Sequence, residues 1–380
     1  MSIVVALASV AVILIVLVDA FEAMVLPRRV SRPYRPARFF YRHVWRTWRA
    51  IAAWMRPGKR RDYFLSIFGP FSILLLIASW VAALIIAFGV LHWSMGTILA
   101  PAETAQDMPT YLYLSGVTFF TLGYGDVTAR EPWGRFLTVV ECGVGFGFMA
   151  VIIGYLPVLY GAFSRREVTI GLLDARAGSP PTSAEVLLRL ARADNLAAID
   201  PFLAEWERWS AEVLESHLSF PVLPYYRSQH DNQSWVAALT AVLDTCSFLI
   251  AGVQDCSYQA QLTFAMARHA IVDLCMVFGT PPVPPDPARL PPEKLARLRA
   301  LLAEAGLEMS QSPEVDAKLA ELRAMYEPFA NALSRHFVLP LPPVLSDQPP
   351  IDNWQTSAWM RRVAGFNSLA MRDVRDDHED

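Results

Sequence analysis

The hydrophobic pattern of the chain is dominated by three long apolar stretches, at 2–26, 64–93 and 133–163. Each reaches or exceeds the ~20 residues that an α-helix needs to cross a bilayer core, so three membrane spans are predicted. Between the second and third lies a shorter amphipathic run, "TYLYLSGVTFF", long enough for about three helical turns, and the Gly-rich "TLGYGD" follows it. Beyond residue 163 the apolar positions recur at helical spacing, as in Phe202, Trp206, Trp209 and Val213. Further helices are predicted at about 183–195, 234–251, 257–278, 293–306, 313–336 and 355–371, divided by the Pro-rich joints "TPPVPPDPARLPP" and "LPLPPVLSDQPP". Segments 235–250 and 258–278 are apolar, but Asp244 interrupts the first and Arg268, His269 and Asp273 the second, so both are read as buried core helices. The fold class expected is an all-α membrane protein: an anchor helix at 1–26, an interfacial segment at 27–62, a two-span module with the Gly-rich loop at 63–164 and a helical domain at 165–380.

Charge orients this pattern. Between Pro27 and Asp62 stand eleven Arg, one Lys and one acid, a strong positive-inside signal. That segment is therefore expected in the cytoplasm, the N-terminus and the loop 94–132 outside, and everything after Phe163 in the cytoplasm again. The first apolar stretch has no basic residue ahead of it and no small-x-small cleavage pattern, which marks a retained anchor rather than a secretory signal. The net charge of −3 hides a division: 14 basic and 8 acidic residues through Ser164, against 19 basic and 28 acidic after it. Cys142, Cys246, Cys256 and Cys275 sit in apolar helical contexts without CxxC spacing, so neither a disulfide framework nor a zinc site is suggested.

On a helical wheel of "RPARFFYRHVWRTWRAIAAWM", Arg35, Arg38, Arg42, Arg46, Arg49 and Arg56 fall on one arc, while Phe40, Val44, Trp48, Ile51 and Met55 form a stripe opposite. This predicts an interfacial helix with anionic lipid as its partner. Docking of the basic face on the acidic tail is the competing reading. Asp19 and Glu22 are expected to pair with Arg28 or Arg29.

The Gly-rich run admits three readings: a plain turn, a phosphate-cradling loop or an ion filter. No Lys-Ser/Thr follows the glycines, which removes the phosphate loop. A short helix pointing into the membrane followed by an extended return makes a re-entrant loop, and irregular backbone at membrane depth must be shielded by protein or line an aqueous path. Thr118, Thr121, Gly123, Tyr124, Gly125 and Asp126 then carry a resemblance to the potassium channels, whose signature T-x-x-T-x-G-Y-G-D lies between an outer and an inner helix. The resemblance covers residues 64–163. It implies that the carbonyls of Thr121, Leu122, Gly123 and Tyr124, with the Thr121 hydroxyl, hold K+. Tyr124 would pack outward against the pore helix, Asp126 would mark the external mouth, and four copies would form a homotetramer. Leu122 stands where Val is commonest, and Val117 where some relatives place a carboxylate. The resemblance also turns Gly145 toward a hinge, against the alternative of close helix packing. Pro157 predicts a kink in the inner helix, and Leu156, Pro157 and Tyr160 are the candidates for the gate. Glu141, inside the third span, is either functional or bonded to the pore helix.

In the tail, Tyr225, Tyr226, Arg227, His230, Asp231, Asn232 and Gln233 crowd one loop. With His217, Arg268, His269 and Asp273 they are candidates for a sensing pocket for a cytoplasmic ligand or metal. No G-x-G-x-x-G, Gly-rich β-roll, nucleophile elbow or HExxH is present in the tail, so neither a nucleotide-binding regulator nor a hydrolase is expected. The whole chain also looks like a bacterial group of channels joining such an anchor to a helical tail. The expected protein is a potassium-selective channel of a bacterial inner membrane, not an enzyme, without cofactor beyond the transported K+ and without nucleic acid. A poorly selective cation channel, and a membrane-tethered enzyme or scaffold with a vestigial pore, are the alternatives.

Overall fold

The computed structural model describes residues 2–26, 35–228, 233–253 and 258–347. Two compact units divide the chain: Met1–Ala162 with Leu218–Tyr226, and Phe163–His217 with Arg227–Asp380. In chain order the elements are α1 (Ser2–Met24), α2 (Pro36–Trp54), α3 (Lys59–Ser94), β1 (Leu99–Ala100), α4 (Met108–Phe119), β2 (Thr128–Ala129) and α5 (Pro132–Ala177). They continue with α6 (Ser183–Arg192), α7 (Ile199–Ser219), α8 (Trp235–Gly252), α9 (Tyr258–Val277), α10 (Pro292–Glu304), α11 (Pro313–Ala324) and α12 (Glu327–Phe337).

In the first unit α1 packs along α3 through Ile13, Val16 and Ala20, while Ile3, Leu7, Leu14 and Ile15 on its other side stay exposed. An apolar face left uncovered on a long apolar helix suits contact with lipid tails. Ser9 and Asp19 are polar residues on the buried side, and Asp19 is the charged one. Its Oδ2 accepts from Trp80 Nε1 at 3.0 Å and from the Ala37 backbone N–H at 2.9 Å. The second bond matters because the residue preceding α2, Arg35, offers no side-chain cap. Asp19 thus satisfies an orphan amide at the positive end of α2 from another helix. Glu22 pairs with Arg35 at 3.4 Å, which draws that arginine away from the exposed arc. Arg28 and Arg29 lie outside the described residues.

The face that α2 buries differs from the stripe centred on Val44. Ala37, Tyr41, Trp45 and Ala52 are buried, Ile51 is exposed, and Trp48 is half-buried. Aromatic packing turns the helix: Trp45 lies 4.7 Å from Phe68 and 5.2 Å from Tyr225, and Trp48 stacks on Phe64 at 4.4 Å while donating to its carbonyl at 3.1 Å. Arg38, Arg42, Arg46, Arg49 and Arg56 all remain exposed, next to Phe39 and Trp54, which are exposed too.

Segment Leu218–Tyr226 belongs to this unit although it comes from the tail of the chain. Val222 and Leu223 are buried, Phe220 sits 5.6 Å from Tyr155 of α5, and Tyr225 lies 5.1 Å from Phe68. The Tyr226 ring covers Gly69 so closely that a Cβ there would stand 2.7 Å from it.

In the second unit α8 is the central helix, packed by α6, α9, α11 and α12. It is long and apolar enough to span a membrane, yet 89% of it is buried by the protein's own helices, as a core helix should be. Asp244 within it is met by Arg289 at 2.7 and 3.2 Å and by the Tyr326 hydroxyl at 2.5 Å. Arg289 also bonds Glu327 Oε1 at 3.0 Å and the Pro342 carbonyl at 2.8 Å, so the buried charges are paired. The helix expected at 313–336 is two helices, α11 and α12, parting at Met325–Tyr326. Pro328 explains the break, since it fits the first turn of a new helix and would break the interior of an old one. The helix expected at 355–371 lies outside the described residues.

Candidate functional site: the re-entrant loop

The loop between α3 and α5 enters through α4, whose N-cap Asp107 accepts from the Thr110 amide at 3.1 Å. Its outer margin is closed by the antiparallel pair β1 and β2, with Leu99 opposite Ala129. The exit of α4 is the informative end. Thr121 N–H donates to the Thr118 carbonyl at 3.0 Å and Leu122 N–H to the Val117 carbonyl at 2.9 Å. These are the two bonds of a Schellman cap, in which the residue after the helix takes the left-handed conformation and is usually glycine. Here it is Thr121, with φ +56°. A β-branched residue in that region costs ~1–2 kcal/mol, and the two cap bonds hold it there.

The same handedness recurs at Gly123 (φ +62°) and Gly125 (φ +75°), whereas Leu122 and Tyr124 between them keep negative φ. Residues of alternating hand turn successive peptide carbonyls to one side of an extended strand, where an ordinary β-strand would alternate them. Nothing lies within 4 Å of where a Cβ would stand at Gly123 or Gly125, so both glycines are needed for conformation and not for room. Residues 120–126 are exposed, with Leu122 at 51% and Tyr124 at 68%; within one chain the Tyr124 ring is not covered by α4. At the outer end Asp126 is strapped to α4: its Oδ2 accepts from the Tyr113 hydroxyl at 2.7 Å and its Oδ1 from the Val127 amide at 3.0 Å. Tyr113 thereby occupies the partner role that Val117, 8% exposed and apolar, does not fill.

Behind α4, Glu141 of α5 is fully buried and accepts from the Ser115 hydroxyl, so it does bond to α4. Gly145 stands one turn further along. A Cβ there would lie 2.2 Å from the Phe119 carbonyl oxygen, which makes close approach of α5 to the end of α4 a sufficient reason for glycine. The helix runs without interruption through both Gly145 and Pro157. Opposite its buried side, Val139, Phe146, Ile153 and Tyr160 follow one another at intervals of seven and are 63–70% exposed. Pro157 lies on the same exposed side and Leu156 is half-buried.

Among the described residues the tail candidates have separate partners. Tyr225 and Tyr226 belong to the first unit, whereas Arg227 donates to the Val338 carbonyl at 2.6 Å and Gln233 to Asp174. His217 is engaged with Arg166 at 3.3 Å, and His269 pairs with Asp273 at 3.7 Å on the surface of α9, where Arg268 is exposed. His230, Asp231 and Asn232 lie outside the described residues. Among the described residues no group of three or more His, Cys, Asp or Glu is gathered to hold a metal. Sequence reasoning missed Tyr113, Ser115 and His92, whose partners stand 13, 26 and 49 residues away in the chain, as well as the docking of Tyr225 and Tyr226. For Tyr113 and Ser115 the signal available was their polar groups interrupting the apolar run 110–120.

A short helix, an exposed strand of alternating backbone hand and two flanking long apolar helices make up this part of an all-α membrane protein. Residues 71–159 match the family described as "Ion channel", and the chain is an all-α membrane protein. It is also similar to the "Uncharacterized membrane protein YdjJ" of Bacillus subtilis (strain 168), 23% identical over 261 residues that cover 63% of this chain and 73% of that protein. No solved structure matches the chain.

Proposed function

We propose that the protein is a homotetrameric potassium-selective channel, and the observation that carries this reading is the alternation of backbone hand at Thr121, Gly123 and Gly125. Carbonyls of Thr121, Leu122, Gly123 and Tyr124 from four chains would replace the hydration shell of a dehydrated K+. The Thr121 hydroxyl adds the innermost ligand, and Thr118, Gly125 and Asp126 support the strand. One chain can cover only one side of an ion, which is why copies are required. The exposed filter strand, and the exposed stripe Val139, Phe146, Ile153 and Tyr160, supply surfaces for those copies and for the ion path. The gate is assigned to Leu156, Pro157 and Tyr160, with Gly145 as its pivot. The basic segment and the tail face the cytoplasm of a bacterial cell by the positive-inside rule, and the tail regulates the pore. The Arg38, Arg42, Arg46 and Arg49 face of α2 meets anionic lipid.

The reading is tested with full-length protein in liposomes, comparing potassium and sodium flux with a Gly123→Asp variant. Potassium-selective flux that disappears in the variant is expected, because Asp cannot adopt the left-handed backbone without strain and brings a charge to the ion path. Wild-type flux that is equal for both ions would reject selectivity and leave a general cation channel.

A further inference from the structure

Glu141 in α5 and His92 in α3 are both fully buried in the first unit. One Glu141 carboxylate oxygen accepts from Ser115 of α4, and the other lies 3.6 Å from His92 Nε2. His92 Nδ1 is 3.1 Å from the Thr97 hydroxyl, and Ser115 Oγ is also 2.8 Å from the Ile85 carbonyl of α3. Three helices therefore meet on three polar side chains in otherwise apolar packing. Tyr111, whose hydroxyl donates to the Thr97 carbonyl at 2.7 Å, closes the outer side of this group.

An ionisable side chain at membrane depth is costly, and well-packed apolar residues would hold the helices together without it. Apolar contacts leave a helix able to rotate or slide among similar packings, whereas a charge-assisted hydrogen bond fixes one register. Ser115 stands six residues before Thr121 in the chain, connected to it by α4 and its cap. Any rotation of α4 is thus passed to the filter strand.

We propose that Glu141 is a positioning residue for the filter: with His92 as its counterpart it holds Ser115, and thereby sets the rotation of α4 at which the carbonyls of Thr121–Tyr124 face the ion path. This rests on the filter reading above, and its test separates the two. Full-length Ser115→Ala, Glu141→Leu and Glu141→Gln proteins are reconstituted and their potassium-to-sodium flux ratios compared. Ser115→Ala and Glu141→Leu each lower the ratio about fivefold, the factor associated with one hydrogen bond, and together they lower it no further. Glu141→Gln restores the wild-type ratio, since its amide oxygen still accepts from Ser115. Amide hydrogen exchange over 115–126, measured on the same samples, is faster in Ser115→Ala than in wild type whether or not the wild type conducts. A non-conducting wild type with that exchange difference leaves the filter reading unsupported and upholds the tether. Ser115→Ala protein that melts like the wild type and keeps its exchange protection and any flux ratio overturns the proposal.

Discussion

His217 shows how much a single buried side chain can impose. Its Nδ1 lies 2.7 Å from the Val213 carbonyl and its Nε2 3.3 Å from Arg166 Nη1, and its ring is 4.8 Å from Trp235. Nδ1–H must donate to the carbonyl and Nε2 must accept from the guanidinium, so the ring is neutral. Burial, and then the neighbouring Arg166 charge, hold its pKa well below the ordinary 6.5. The unfolded chain takes up this proton near pH 6.5 and the folded chain only at lower pH. The stabilisation is therefore complete above that value and is lost as pH falls toward the folded pKa. Melting of the full-length protein is expected to drop as pH falls below about 6.5, and His217→Gln, which keeps a neutral acceptor, should flatten the drop. An equally steep profile in the variant would show that other groups govern acid sensitivity. Thr121 makes a different compromise: glycine would relax its backbone at the same φ but remove the hydroxyl ligand proposed for K+.

At the scale of elements, α2 and the segment Leu218–Tyr226 are bound by an aromatic cluster whose tightest point is Gly69 beneath Tyr226. Gly69→Leu should expel that ring and destabilise the protein by ~1–3 kcal/mol, the usual range for overpacking. It should also change the rate of potassium flux while leaving the potassium-to-sodium ratio intact, because Phe220 in the segment touches Tyr155, one residue before the proposed gate. Unchanged melting and flux would mean that Gly69 does not hold the segment. The sequence pattern makes α2 legible as an amphipathic helix but not its rotation. Periodicity identifies apolar positions, whereas the choice of Tyr41 and Trp45 as the buried ones depends on Tyr225, some 180 residues later. The division between α11 and α12 was within reach, since Pro328 stands in plain view. The pairing of Asp244 with Arg289 was not, because an ion pair across a Pro-rich joint leaves no local trace.

For the whole molecule, the long apolar helices and the Gly-rich strand after α4 are readable because each is a contiguous run whose chemistry is local. What escaped reading are the cross-helix partners, Tyr113 with Asp126 and Ser115 with Glu141, which exist only once the helices are packed. The exposed arginine face of α2 belongs to this scale as well, since its proposed partner is the membrane as a whole. Replacing Arg38, Arg42, Arg46 and Arg49 together by Gln should abolish the difference in flux between anionic and neutral liposomes. A difference that survives the replacement would assign lipid dependence elsewhere. One last consequence follows from the cap at Thr121. Because the hydrogen-bond ladder runs on to Leu122, the direction in which the strand departs is a phase of α4. Each residue inserted within that helix would turn the departure by about 100° and shift it by about 1.5 Å. The length of α4 is therefore part of the proposed ion site as much as any side chain in it, and a ring of identical chains would repeat the same phase error in every copy.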